Sequence, residues 1–216
     1  GNLQSQLHQI REERSKLSGG TTSISLVPQH DATGQWDGDL CGLLPLVDFL
    51  ILNQVEAKAI LDRHGGSSPE IETDKTTDAD NVNQSDESKE NDELQSYLEY
   101  AARGFFAVSP DTRVIVTCGS KGAAALHEGQ LVCFQPAPRL DSAAILDTTG
   151  AGDAFAAAFL HRILQLPNEH SSTWPSSESL KDALRWGCAV GTASVTKVGA
   201  SIPSSQKEIE LLIADL

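Results

Sequence analysis

The heptapeptide Asp147-Thr148-Thr149-Gly150-Ala151-Gly152-Asp153 constrains the fold of this chain more than any other stretch. It follows an apolar stretch ending Ala144-Ile145-Leu146. It leads into Ala154-Phe155-Ala156-Ala157-Ala158-Phe159-Leu160, which reads as a helix. A Gly-rich turn therefore sits at a helix N-terminus, with a carboxylate on each side. Backbone N–H groups at such a terminus point outward unpaired, and the helix dipole favours negative charge there. The arrangement is an anion site, and phosphate is the usual anion. An aspartate beside a bound phosphate would repel it, so Asp153 needs a chemical reason to be there. The simplest is to take a proton from a hydroxyl that attacks phosphorus. An ordinary turn needs glycine only to relieve strain. Two glycines, two threonines and two aspartates in seven residues exceed that need.

The flanking sequence predicts the surrounding elements. Residues 1–17 are polar, with Leu3, Leu7 and Ile10 at helical spacing. Thr21 to Val27 alternates, is β-rich and stops at Pro28. Val47 to Leu52 reads as a buried strand and Glu56 to Arg63 as the helix after it. Leu94 to Phe106 reads as a helix and Val114 to Cys118 as a buried strand. Ala123 to Leu126 and Leu131 to Phe134 flank Glu128-Gly129, the pattern of a hairpin. The helix after the heptapeptide runs to about Leu166 and is followed by a polar loop, Pro167 to Ser177. Leu180 to Thr196 is a helix rich in small residues, Gly199 to Pro203 a turn, and Gln206 to Ala214 a last helix. Strands alternating with helices predict an α/β fold, a mainly parallel sheet wrapped by helices.

A length of 216 residues suits one domain with a real core and one insertion. The insertion is residues 66–93, where ten acidic residues stand against Lys75 and Lys89 and apolar residues nearly vanish. This reads as a disordered acidic segment or long loop. A net charge of −14 argues against nucleic acid as a partner held by general phosphate neutralisation. The longest apolar stretch, Leu43 to Leu52, contains Pro45 and Asp48, so no membrane span is expected. Cys41, Cys118, Cys133 and Cys188 show no metal-ligand or redox spacing and read as reduced thiols of an intracellular, cytoplasmic protein. The chain opens on Gly1 and contains no methionine, which predicts part of a longer protein.

Three further segments can carry chemistry. Asn53-Gln54-Val55-Glu56 follows the Val47–Leu52 strand, and ligands gather at the C-terminal ends of strands in doubly wound sheets. Asn53 and Glu56 suit a hydrated Mg²⁺. On their own they suit a helix cap better, with Glu56 completing a capping pair. Thr117-Cys118-Gly119-Ser120-Lys121-Gly122 also follows a strand and reads either as a nucleotide contact or as a plain turn. In Trp186-Gly187-Cys188-Ala189-Val190-Gly191-Thr192 the small residues admit a close neighbour, either another helix or a flat purine. The dinucleotide fingerprint and the P-loop spacing are absent, and Gly119–Gly122 is P-loop-like only superficially. There is no GxSxG elbow.

Taken together, these segments resemble the ribokinase-like, phosphofructokinase B type, carbohydrate kinases. Asp147–Asp153 matches the family's DTxGAGD signature at every fixed position. Asn53–Glu56 matches its NxxE motif and Thr117–Gly122 its TxGxxG segment. Ala183–Pro203, with Val195-Thr196 and Gly199-Ala200, matches its nucleotide-side helix and following turn. The resemblance runs from about Ile24 to Ile213. It implies a three-layer α/β/α domain whose N-terminal strands and lid, with their sugar-binding residues, are missing here. A homodimer formed through that lid is part of what the family implies.

The resemblance also implies roles by position. Asp153 would be the base for the acceptor hydroxyl, with Gly150, Ala151 and Gly152 as the anion hole for the γ-phosphoryl group of ATP. Asn53 and Glu56 would position Mg²⁺ through water. Thr117, Gly119 and Gly122 would line the nucleotide site, and Cys188 would lie against adenine near Thr192. A K⁺ ion would use Asp147, with Thr149, Ser194, Lys197, Gly199 and Ser201. The activity implied is transfer of phosphate from ATP to a sugar. A nucleoside acceptor is an alternative on the same fold. A non-catalytic nucleotide-binding or regulatory fragment is another, although such a module need not keep Asp153 and the Gly-Ala-Gly turn. A chain without the sugar-binding half is expected to bind nucleotide weakly and to leave sugar unphosphorylated.

Overall fold

The computed structural model describes residues 2–16, 23–29, 31–36, 40–63, 84–165, 175–200, 205–214 and 216. Helix α1 is Leu3–Lys16, strand β1 Ser25–Leu26, helix α2 Leu40–Leu43, strand β2 Phe49–Asn53 and helix α3 Gln54–Arg63. Helix α4 (Gln84–Val108) leads to strands β3 (Arg113–Thr117), β4 (Gly122–His127) and β5 (Gln130–Pro136). Helices α5 (Ala151–Leu164), α6 (Ser177–Ser194) and α7 (Gln206–Ala214) complete the chain.

The five strands form one sheet in the order β1-β2-β3-β4-β5. β1, β2 and β3 run parallel, as expected. β4 and β5 are antiparallel to their neighbours, so the sheet is mixed where a mainly parallel one was expected. The cause is local. A parallel neighbour needs a long crossover, whereas the short Cys118–Lys121 connection folds β4 back on β3 and the Glu128-Gly129 turn (φ 49° and 75°) folds β5 back on β4.

Strand side chains alternate between the two faces, and here both faces are covered. Leu50, Leu52, Val114, Val116, Ala124 and Leu126 face a core built with Ile60, Leu61, Tyr97, Leu98 and Phe105 of α3 and α4. Phe49, Ile51, Ile115, Ala123 and Ala125 face a second core with Phe155 and Phe159 of α5 and Leu180, Leu184 and Cys188 of α6. The layers are therefore α/β/α. This explains why β2 reads as an unbroken apolar run, since neither face meets water.

Helix α4 begins at Gln84, ten residues inside the segment expected to be an acidic loop over 66–93. Residues 66–83 of that segment lie outside the described residues. Among the described residues no helix is long and apolar enough to cross a membrane.

Candidate active site

A cleft opens where β1, β2 and β3 end. Val27, Pro28, Gln29, Ile51, Leu52, Asn53, Glu56, Thr117, Gly150, Gly152 and Asp153 line it. Parallel pairing puts the C-terminal ends of all three strands at one edge of the sheet, and the register sets Asn53 directly beside Thr117. The N-terminus of α5 reaches the same place. The fold thus brings together Asn53, Glu56, Thr117, Gly150, Gly152 and Asp153, which lie up to 100 positions apart in sequence.

Helix α5 starts abruptly at Ala151, and Gly150 caps it in the left-handed region at φ 78°. A Cβ on Gly150 would lie 2.8 Å from the Cβ of Ala200, so both conformation and space require glycine there. A Cβ on Gly152 would meet nothing within 4 Å, because that residue faces the open cleft. Ala154 donates to the Gly150 carbonyl at 2.9 Å, and Ala151 N–H turns back to the Thr148 carbonyl at 3.2 Å. Ala151 is therefore partly committed to the turn. The N–H groups of Gly152 and Asp153 have no backbone acceptor among the described residues and remain as donors at the positive end of the helix. The Asp153 side chain is exposed beside them.

Asp147 braces this turn through protein hydrogen bonds. Its Oδ1 accepts from Thr149 N–H at 2.9 Å and its Oδ2 from Gly199 N–H at 2.8 Å. The Thr149 amide, with further help from its hydroxyl and from Gly199, holds the Asp147 carboxyl below the usual carboxylate range. Leu146 and Asp147 donate to the Val195 carbonyl at 2.9 and 3.3 Å, and Lys197 N–H donates to the Ser194 carbonyl at 3.3 Å. Asp147, Thr149, Ser194, Lys197 and Gly199 therefore meet at one corner behind the α5 N-terminus. Ser201 lies outside the described residues.

Asn53 and Glu56 form a reciprocal capping pair on α3. Glu56 N–H donates to Asn53 Oδ1 at 2.9 Å, and Asn53 N–H donates to Glu56 Oε2 at 2.9 Å. The cap and the cleft are the same residues. Glu56 is only 7% exposed, so the pair fixes a carboxylate at the cleft floor.

Other expected positions are elsewhere. Gly122 serves the sheet: its φ is 128°, and a Cβ would come within 2.1 Å of the Gln135 carbonyl on β5. Gly119 has φ 58° in the turn after β3 and does not line the cleft. Lys121 pairs with Glu90 of α4 at 3.2 Å, so the P-loop-like lysine is a tie between elements. Cys188 lies on α6, away from the cleft lining. It is 5% exposed and packed in the second core, and burial pushes its thiol up to about 12. The small-residue face of α6 is occupied by α5: a Cβ on Gly187 would lie 2.7 Å from the Phe155 ring. Thr192 is half-buried on α6 and outside the cleft lining.

Val27, Pro28 and Gln29 line the cleft without having been singled out. The signal was available: the first predicted strand stops at Pro28, and the rule that places ligands at strand C-termini applies there too.

The profile described as pfkB family carbohydrate kinase matches residues 23–207. The chain belongs to that family. Fructokinase-1 of Oryza sativa subsp. japonica is 45% identical over 67 residues, 31% of this chain and 19% of that protein. Ribokinase of Haemophilus influenzae is 32% identical over 106 residues, 46% of this chain and 28% of that protein. The crystal structure of fructokinase from Vibrio cholerae O395, in a form with fructose, ADP and calcium ion bound, superposes with a TM-score of 0.60 at 18% identity. That superposition covers 97% of this chain and 54% of the fructokinase. The chain thus spans about half the length of that structure. The pfkB match begins at β1 and ends in α7, so every residue of the cleft lies inside it.

Proposed function

We propose that this chain carries the phosphoryl-transfer site of an ATP-dependent sugar kinase. The observation that carries the reading is the N-terminus of α5. Uncommitted amides and Asp153 share one cleft at the C-terminal edge of a parallel sheet. Phosphoryl transfer asks a protein chiefly for positioning and for charge stabilisation. Helix amides supply the second without a basic side chain. Asp153 accepts the proton of the attacking hydroxyl as the bond to phosphorus forms and the bond to the departing diphosphate breaks. Asp147 holds the turn so that the amides keep their aim.

The donor set fits the ions implied. Asn53, Glu56 and Asp153 offer oxygens in one cleft, which suits a hydrated Mg²⁺. Bound with the nucleotide, Mg²⁺ neutralises phosphate charge. Each carboxylate has about four lone-pair positions, so Asp147 keeps room for K⁺ beside its two N–H donors. Thr149, Ser194, Lys197 and Gly199 add carbonyl oxygens at that corner. A sugar acceptor is favoured by the fructokinase and ribokinase likenesses.

The test is an assay of the protein at full natural length. ATP is supplied with a panel of ketohexoses, aldopentoses and nucleosides, and the phosphorylated product is identified by mass. The expected result is one phosphorylated sugar. Transfer only to nucleosides overturns the sugar assignment, and transfer to none of the panel overturns the kinase reading.

A further inference from the structure

The cleft presents a charge problem. Its two ionisable side chains, Glu56 and Asp153, are both acidic, and no basic side chain lines it among the described residues. Beside the proposed Mg²⁺, the protein groups of this lining that can donate to a triphosphate are neutral ones. The α5 amides are one source. On the β2 side, Asn53 Oδ1 is taken by Glu56 N–H. On β3, Thr117 Oγ1 turns toward the Leu52 carbonyl at 3.5 Å. Gln29 is exposed at the end of β1, and its side chain has no hydrogen-bond partner among the described residues.

The described residues on either side of Gln29 are anchored. Val27 packs against the second core, and Pro28 has a fixed φ. Downstream, Asp31 accepts from Thr33 N–H at 2.9 Å, from the Thr33 hydroxyl at 2.7 Å and from Trp36 N–H at 2.7 Å. Trp36 packs against the first core. These contacts anchor the chain on either side of Gln29, while its side chain keeps the rotamer freedom to reach a bound anion. A neutral donor on a held backbone is what an acidic cleft needs for an anionic substrate.

We propose that Gln29 is a binding residue for the transferring phosphoryl group, donating its carboxamide N–H to a γ-phosphoryl oxygen. The proposal rests on the kinase reading above and assigns that site a side-chain donor from a third element.

The test compares two nucleotides with magnesium on the full chain by calorimetry: ADP, and the non-hydrolysable ATP analogue AMP-PNP. Gln29→Ala is expected to raise the AMP-PNP dissociation constant about tenfold, the effect of losing one hydrogen bond to a charged group. Gln29→Glu adds a third carboxylate and is expected to raise it further. ADP affinity stays within about twofold in both, since ADP lacks the group contacted. A structural role would move both nucleotides together. Equal shifts for the two, or no shift for either, overturn the assignment of Gln29 and leave the kinase reading standing. A parent chain that binds neither nucleotide overturns both.

Discussion

Gly150 concentrates two demands on one residue: a left-handed backbone at φ 78° and a neighbour, Ala200, where a side chain would go. Gly150→Ala is expected to cost about 1–3 kcal/mol of stability, the usual cost of a residue in a disfavoured backbone region. It should also weaken AMP-PNP binding, because the α5 amides lose their aim. Urea unfolding and calorimetry check the two effects. Asp147 gives a pH signature. Its folded-state carboxyl sits below the ordinary value, so its contribution is present above about pH 4 and is lost as pH falls through the depressed value. The amide resonances of Thr149 and Gly199 are expected to titrate together below pH 4, and Asp147→Asn should abolish that titration. A midpoint at or above the unperturbed carboxylate value would contradict the brace. At this scale the sequence was legible where a residue's chemistry leaves few alternatives. Gly150 and Asp153 sit where the motif puts them. The burial of Cys188 was not legible, because small residues on a helix do not say which neighbour packs against them.

Among the elements, the α3 N-terminus shows that a helix cap can also line the cleft. Asn53 and Glu56 cap the helix and line the cleft at once. The two roles separate by mutation. Glu56→Ala is expected to lower stability by about 1 kcal/mol, the usual size of a lost cap. Glu56→Gln keeps the acceptor for Asn53 N–H, so its urea midpoint stays near the parent's. Its removal of charge weakens magnesium-dependent AMP-PNP binding. A Glu56→Gln variant that binds magnesium and nucleotide like the parent would leave the residue with its capping role alone. The hairpin β4–β5 was readable from Glu128-Gly129, but its effect on sheet direction was not, since alternation of strands and helices says nothing about which strands lack a crossover. The early start of α4 was missed for a related reason. Acidic composition argues for solvation, and composition alone does not say where a helix begins.

Across the whole molecule, the two-residue alternation of β2, β3 and β4 decides the architecture. Each strand is apolar on both faces, so each face needs a helical layer, and α3–α4 and α5–α6 supply them. Parallel pairing of β1, β2 and β3 then makes the cleft, because it collects three strand ends and one helix N-terminus at a single edge. That convergence could be read from the motifs and from the rule about strand ends. The wall formed by Val27, Pro28 and Gln29 carries no motif and emerges only when β1 is laid beside β2. The phosphoryl transfer proposed for this edge uses Asp153 as base. It is tested most directly by Asp153→Asn in the protein at full natural length, with turnover and AMP-PNP affinity measured on the same preparation. The account predicts a fall in kcat of roughly 10²–10⁴-fold with nucleotide affinity little changed. Turnover close to that of the parent would contradict it.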